Sequence, residues 1–595
     1  MPRPYAKAKR HLWRWLAQYV VMVALATAST MPLASFARSH LPVGAAPTAT
    51  VPLLNVWTID WNVNRIDHGY RDYWDAPIYF PTRGVLAGSE PQPVTGWLAW
   101  PIWKIVPNPV LAYNVLIIQF LALNGWFTCR LLERLRLAWP ASWAGGAMIC
   151  LLPLVHWQID VFQLLALWCV VWTLIAFSSF ARRPTAWRAV HVAAAFACTY
   201  GTCCYYGLFL SILLLITWPV LCARRLRDAK FWLWTCCALA VAALLVSPIC
   251  WAQMTFTREH GSALPAGWFR ELSVNLTHFR RTPGRQLVPL PGPATNTDGS
   301  PWALSPGTFK MVLAGVGLVW GVWTRRRRRF TLFCTSVLVL AILLAMGPRL
   351  NVFGFSPHDL LTRYYPGFDR ARNLFRFVYF AHLMLVVLAA IGLHAMHVRL
   401  TRFIGKRRAV VRPPRRLTAR AHSASPNFRS LIALAMFGLG AIVAVEAWPP
   451  PRPLHAVPSI ATHATWVRWL RDAPEPAIVL ACFPLASGPQ AAEGLRTAEW
   501  MYFQMFHRRP MINGYSGMIP TDYLLLKPKL AGFPSRGGVS ALCRVGVTHC
   551  LLDTRICGTA FDAEKMRAAG MHMVVDDTRA GIQIWALRPA TTPRP

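Results

Sequence analysis

Acid is scarce in this sequence. Of 595 residues, 24 are Asp or Glu against 62 Lys or Arg, and charged residues of both signs make up only 14%. With 55% hydrophobic residues and a mean hydropathy of +0.35, the chain lacks the polar surface of an ordinary soluble protein. No internal repeat is visible, and after Trp448 no Ser-His-Asp or Cys-His arrangement can be placed from spacing. The cysteines lack zinc spacing. Cys203-Cys204 has no His or carboxylate neighbour at ligand distance in sequence, so it reads as apolar packing.

Long apolar runs are what the sequence has instead. They fall at Trp15–Phe36, Val110–Cys129, Ser142–Trp157, Val161–Phe180, Val190–Tyr206, Gly207–Cys222, Phe231–Trp251, Thr308–Trp323, Phe330–Met346, Phe377–His394 and Leu431–Trp448. Each approaches the length that crosses a ~30 Å hydrocarbon layer as a helix, giving about 11 spans. Tryptophans near the run ends suit interfacial anchoring. The first run precedes Ala34-Ser35-Phe36-Ala37, a passable signal-cleavage region, but it exceeds a usual signal core and reads as a retained anchor.

The formal charge of +38 first suggests nucleic acid, and its distribution excludes that reading. With the N-terminus inside, Arg130/Arg134/Arg136, Arg182/Arg183/Arg188, Arg224/Arg225/Arg227/Lys230, Arg325 to Arg329 and Arg399 to Arg429 share one side. That side holds only the acids Glu133 and Asp228. This is the positive-inside pattern, and it implies anionic-lipid contact rather than base readout. It predicts an inner (cytoplasmic) membrane protein with a cytoplasmic N-terminus, a basic disordered loop over 399–429 and an extracytoplasmic C-terminus.

Residues 1–448 therefore read as a polytopic all-α transmembrane bundle. Residues 37–109 form a first external loop, in which Pro93–Pro107 is an interfacial or re-entrant element. After Pro449-Pro450-Pro451, residues 449–595 read as an extracytoplasmic α/β domain. Its expected elements are helices at Thr462–Asp472, Glu493–His507 and Tyr523–Leu530, strands at Ala477–Phe483 and Val547–Leu552, and a hairpin of Met571–Val575 with Ile582–Leu587. Asn513-Gly514 reads as a turn. Cys482, Cys543, Cys550 and Cys557 allow three full disulfide pairings, among which sequence does not choose.

The first external loop concentrates Asn55, Trp57, Asp60, Trp61 and Asn62, then Tyr73-Trp74-Asp75, Pro77, Tyr79-Phe80-Pro81 and Ser89-Glu90-Pro91-Gln92. Carboxylates there can take a proton from a hydroxyl or hold a cation, and aromatic faces can stack on sugars. Tyr113-Asn114 follows Pro107-Asn108-Pro109, and Pro366-Gly367-Phe368-Asp369-Arg370-Ala371-Arg372 precedes a late run. The C-terminal part carries Arg509-Pro510-Met511-Ile512-Asn513-Gly514-Tyr515-Ser516-Gly517. In this layout the chain resembles the polyprenol-phosphate-dependent membrane glycosyltransferases of the GT-C fold, including relatives of the bacterial YfhO proteins.

The resemblance implies transfer of a sugar from a polyprenyl-phosphate-linked donor at the outer face of the cytoplasmic membrane. It implies an acid of the first external loop as catalytic base or metal ligand, so Asp60, Asp75 and Glu90 are the candidates, with Asp60 first as the first acid after the first span. The family often shows adjacent acids, whereas the nearest pair here is Asp72/Asp75. No metal ligand set is assigned, and a divalent cofactor stays open. Arg370, Arg372 and Arg376 are candidates for the donor phosphate, with Arg280, Arg281 and Arg285 a second set. His156 and Asp160 (with Gln158 beside them) are candidates to line the pocket. A lipid or polysaccharide flippase or transporter is the rival reading, although ion-coupled carriers usually place acids within the bilayer. A non-catalytic envelope-assembly protein is the third.

Overall fold

The structure is a computed structural model describing residues 4–45, 48–261, 266–284, 286–291, 296, 302–411, 426–474, 478–486 and 493–587. Arg285 and residues 412–425 of the basic loop expected over 399–429 lie outside the described residues, while residues 399–411 are helical. The chain is mostly helical. It opens with α1 (Pro4–Ser29), β1 (His40–Pro42), α2 (Thr50–Asp67) and α3 (Pro93–Ile105). The bundle continues through α4 (Pro109–Arg134), α5 (Trp139–Cys150), α6 (Pro153–Trp157), α7 (Leu167–Arg182), α8 (Ala186–Thr202), α9 (Cys204–Cys222) and α10 (Ala229–His260). After α11 (Ala266–Glu271) come α12 (Thr308–Trp323), α13 (Arg328–Ala345), α14 (Pro357–Tyr364), α15 (Val378–Val411) and α16 (Pro426–Val445).

Among the described residues, five helical stretches are long and apolar enough to cross a membrane: Pro109–Arg134, Cys204–Arg225, Ala229–His260, Arg328–Ala345 and Leu374–Ile404. Leu167–Arg182, Thr308–Trp323 and Ser430–Val445 are shorter apolar helices. The stretch Leu374–Ile404 is the axis of the bundle, with 94% of its apolar window buried, and Ala229–His260 is peripheral, with 11% buried. Helix starts are written locally. Asn108 Oδ1 accepts the Leu111 N–H at 2.8 Å with Pro109 at the first helical position, and Asp228 Oδ1 accepts the Lys230 N–H at 3.1 Å.

Glycines set how closely the helices approach. A Cβ on Gly317 of α12 would stand 1.9 Å from the Leu388 carbonyl oxygen of α15, and one on Gly392 would stand 2.1 Å from that of Leu313. Small residues at such a crossing let two backbones pack directly, the main source of helix association in a bilayer.

One expectation needs correction and two gain internal structure. Residues 37–109, expected as an external segment between spans, contain two helices, α2 and α3. Leu53, Val56, Trp57, Ile59, Trp61 and Val63 bury most of α2's circumference, because it lies between the bundle and the C-terminal part. The segment Pro93–Pro107 is largely a regular helix, α3, with Pro93 starting it. The run Ser142–Trp157 breaks between α5 and α6 at Leu151 and Leu152, where Pro153 begins a new turn.

The C-terminal part begins at β2 (Leu454–Ala456), which pairs antiparallel with β1. It continues with α17 (Ala464–Asp472), β3 (Leu480–Phe483), α18 (Leu495–His507), α19 (Thr521–Leu526), α20 (Arg536–Arg544), β4 (His549–Asp553), α21 (Thr554–Cys557), α22 (Ala563–Ala568), β5 (Met571–Asp577) and β6 (Ile582–Leu587). The sheet order is β3-β4-β6-β5, with β3 and β4 parallel and the other pairs antiparallel. Cys482, Cys543, Cys550 and Cys557 are all free thiols. Asn513-Gly514 is not a hairpin turn. Asn513 is fully buried, its Oδ1 accepts the Cys482 N–H at 2.7 Å, and its Nδ2 donates to the Cys482 carbonyl at 2.8 Å.

Candidate functional site

Residues from five distant stretches meet where α2, α6, the start of α15, the segment 88–92 and the segment 511–517 come together. The last of these is held by backbone bonds to residues 77–80. Phe80 N–H donates to Met511 O at 3.0 Å, Met511 N–H to Pro77 O at 3.1 Å, and Tyr79 N–H to Asn513 O at 3.3 Å. A Cβ on Gly514 would meet the Tyr79 ring at 2.6 Å, so only glycine allows this contact without displacing the ring.

Glu90 is buried. Its Oε1 accepts the Tyr205 N–H at 3.1 Å and faces Cys203 Sγ at 3.6 Å. Its Oε2 has no hydrogen-bond partner among the described residues. Burial pushes the Glu90 carboxyl above its ordinary range, and Arg376, foremost among its neighbours, pulls it part of the way back. Arg376 is itself buried, with its guanidinium 4.1 Å from the centre of the Tyr205 ring and its Nε unpartnered.

A chain of amides continues from there. Gln92 Nε2 donates to Asn55 Oδ1 at 2.8 Å, and Asn55 Nδ2 donates to the Val51 carbonyl at 2.9 Å and reaches that of Asp160 at 3.5 Å. Buried Asp160 accepts the Ala45 N–H on Oδ1 at 3.3 Å, and the missing side chain of Gly44 makes room for that carboxylate. Asp160 acts electrostatically on Arg452, and both Asp160 and Arg372 act on Tyr515 of the C-terminal part.

Several buried polar atoms without a partner lie among these residues. Besides Glu90 Oε2 and Arg376 Nε, they include Gln92 Oε1, Tyr113 Oη, Gln163 Oε1, Tyr379 Oη and two nitrogens of Arg452. Buried polar groups without partners cost about 1–3 kcal/mol each. Those around Glu90, Arg376 and Asp160 are the groups in this region with hydrogen-bonding capacity left for a polar ligand. The described residues contain no group of three or more His, Cys, Asp and Glu side chains able to hold a metal ion.

The other candidates lie elsewhere or are engaged. Asp60 of α2 is buried and pairs with Arg508, with Nη1–Oδ2 at 2.5 Å and Nη2–Oδ1 at 3.2 Å. Burial pushes its carboxyl up and Arg508 opposes that. Asp75 is exposed and accepts the Gly84 N–H at 2.7 Å. His156 is buried with Nε2 3.0 Å from the Cys150 carbonyl oxygen, and Arg370 pairs with Asp369 at 3.2 Å. Sequence reasoning did not single out Gln163, Tyr379, Arg452 or the role of Tyr515. Each is unremarkable in its own stretch, and only the tertiary fold brings it to the cluster.

The fold is similar to that of the arabinofuranosyltransferase AftD from Mycobacteria. The TM-score is 0.54 at 14% identity, over 96% of this chain and 41% of that one. The chain thus spans less than half the length of that neighbour. An oligosaccharyltransferase from Archaeoglobus fulgidus (TM-score 0.49, 14% identity, 91% of this chain and 70% of that one) and ArnT from Cupriavidus metallidurans (0.41, 12%, 98% of each) are more distant in structure. No curated protein matches the sequence. Residues 78–405 match the family described as Domain of unknown function (DUF6311), and the chain belongs to that family.

Proposed function

We propose that this protein is a GT-C membrane glycosyltransferase, related to the YfhO-like proteins, that transfers a sugar from a polyprenyl-phosphate donor at the outer face of the cytoplasmic membrane. In this reading the membrane is spanned eleven times, by α1, α4, the broken pair α5 and α6, α7, α8, α9, α10, α12, α13, α15 and α16. Residues 449–595 form an extracytoplasmic domain that covers the site. The support is the cluster of unpartnered buried polar atoms around Glu90 and Arg376, together with the fold shared with an arabinofuranosyltransferase.

Among the acids of the 37–109 segment, Glu90 is our choice of base, because Asp60 is occupied by Arg508 and Asp75 is exposed. Glu90 takes the proton of an acceptor hydroxyl, whose oxygen attacks the anomeric carbon with inversion. The bond from that carbon to the donor phosphate breaks, and the phosphate leaves with the electron pair. Arg376, with Arg372 beyond it, balances the charge that develops on the phosphate. A carboxyl raised by burial is a stronger base than a free one once ionised, which suits this step. No step is routed through a metal.

The test is a transfer assay with purified protein and a polyprenyl-phosphate-linked sugar in proteoliposomes. Glu90→Gln is expected to lower the transfer rate by roughly 10²–10⁴-fold while membrane insertion is unchanged. Full activity in Glu90→Gln would remove the assignment, and lipid or sugar translocation without transfer would favour the carrier reading.

A further inference from the structure

Arg130 lies near the end of α4 that is remote from the cluster around Glu90. Tyr113 marks the near end, and 17 residues of helix, about 25 Å, separate the two. Here Trp15, Trp126, Arg130, Arg134, Trp172 and His191 line a cavity of about 380 Å³, within the range of small-ligand sites of roughly 300–1,000 Å³.

Only 8% of Arg130 is exposed, and its Nε and Nη2 have no hydrogen-bond partner among the described residues. Its guanidinium stands 4.9 Å from the centre of the Trp15 ring and 5.4 Å from that of Trp126. Glu133 is the acid in the cavity wall, and it is shared. Its carboxylate lies 3.1 Å from Arg130 Nη1 and 2.8 Å from Arg14 Nη2, and it accepts from Gln18 Nε2 at 2.9 Å. One negative charge divided between two guanidiniums, with exposed Arg134 beside them, leaves the site cationic. Trp172 Nε1 donates to His191 Nε2 at 2.8 Å, which leaves Nδ1 as the protonated nitrogen of that imidazole.

A buried guanidinium with unmet donors is costly unless an anion completes it. Three tryptophans around it, at the end of a span and on the side of the basic clusters, mark the depth of lipid headgroups. We propose that this cavity binds the phosphate of an anionic membrane lipid. Arg130 and Arg134 meet the phosphate oxygens, and Trp15, Trp126 and Trp172 pack against the glycerol and first acyl carbons. The site is separate from the proposed transfer chemistry and does not depend on it.

The test uses the full-length purified protein, with bound lipid counted by native mass spectrometry and melting followed in parallel. The probes are dioleoyl phosphatidic acid, dioleoyl phosphatidylcholine and inorganic phosphate. Phosphatidic acid is expected to bind about tenfold more tightly than phosphatidylcholine, and Arg134→Gln to weaken it by about tenfold. Arg134 is exposed, so this variant keeps the fold even where Arg130→Gln does not. Glu133→Gln removes the competing carboxylate and is expected to tighten binding, an outcome that a purely structural ion pair would not produce. Equal retention of the two lipids, or unchanged retention in Arg134→Gln, would overturn the proposal. Stabilisation by inorganic phosphate equal to that by phosphatidic acid would overturn the lipid assignment in favour of a free anion.

Discussion

Arg508 closes on Asp60 with two nearly parallel hydrogen bonds across a sequence separation of 448 residues. The carboxylate is 3% exposed and the guanidinium 41%, so solvent screens one partner and not the other. Removing the arginine leaves the buried acid alone. Arg508→Ala is expected to destabilise the protein by about 1–3 kcal/mol, below the full value for a buried pair because of that screening. Asp60→Asn should lower the melting temperature and retain transfer activity. Loss of transfer in a folded Asp60→Asn protein would return the base to Asp60.

Glu90 and Asp75 make opposite predictions. Glu90→Gln is expected to lower the transfer rate by roughly 10²–10⁴-fold, the usual contribution of a general base. Asp75→Asn is expected to stay near wild type, since Asp75 caps an exposed loop at Gly84. Burial raises the Glu90 carboxyl, and the base works only when ionised. The acid limb of the pH–rate profile should therefore lie above the ordinary glutamate value of about 4.3.

His507 provides a pH test of stability. It is buried at the end of α18, its Nδ1 accepts the Arg509 N–H at 3.1 Å, and burial pushes its imidazole down to about 3. A base whose folded value is depressed contributes stability above its unfolded value of about 6.5. That contribution is lost as the pH falls from there toward the folded value. Thermal melts from pH 7.5 to 4.5 should show a falling midpoint that is flatter in His507→Gln.

The α12–α15 crossing should fail on enlargement. With carbonyl oxygens 1.9 and 2.1 Å from the added Cβ positions, Gly317→Val or Gly392→Val must force the helices apart. Each is expected to cost about 1–3 kcal/mol or more and to reduce the yield of folded protein in detergent. Gly438→Ala, with nothing within 4 Å of the added Cβ, is the neutral control.

Several elements were legible in the sequence. The strands expected at Val547–Leu552 and Ile582–Leu587 correspond to β4 and β6, and the helix expected at Glu493–His507 to α18. Their periodicity is written within a few residues of each element. Helix α2 was not legible, because Asp60, Asn55 and Asn62 make it look polar. Their partners, Arg508, Gln92 and the Pro91 carbonyl, lie outside the helix. In the candidate site, Glu90, Asp160 and Arg376 could be named singly, but their meeting could not be foreseen.

Hydropathy and charge act over short stretches and against a planar solvent boundary. The amino-acid order alone therefore determined that this is a membrane protein of mainly apolar helices, with its basic clusters between them. Which acid is tied up and which is left with an unmet oxygen depends on groups far apart in the chain. Asp60 found Arg508, while Glu90 kept Oε2 unpartnered near Arg376. Only the tertiary packing decided that, because a buried carboxylate's chemistry is set by the neighbours that replace its water.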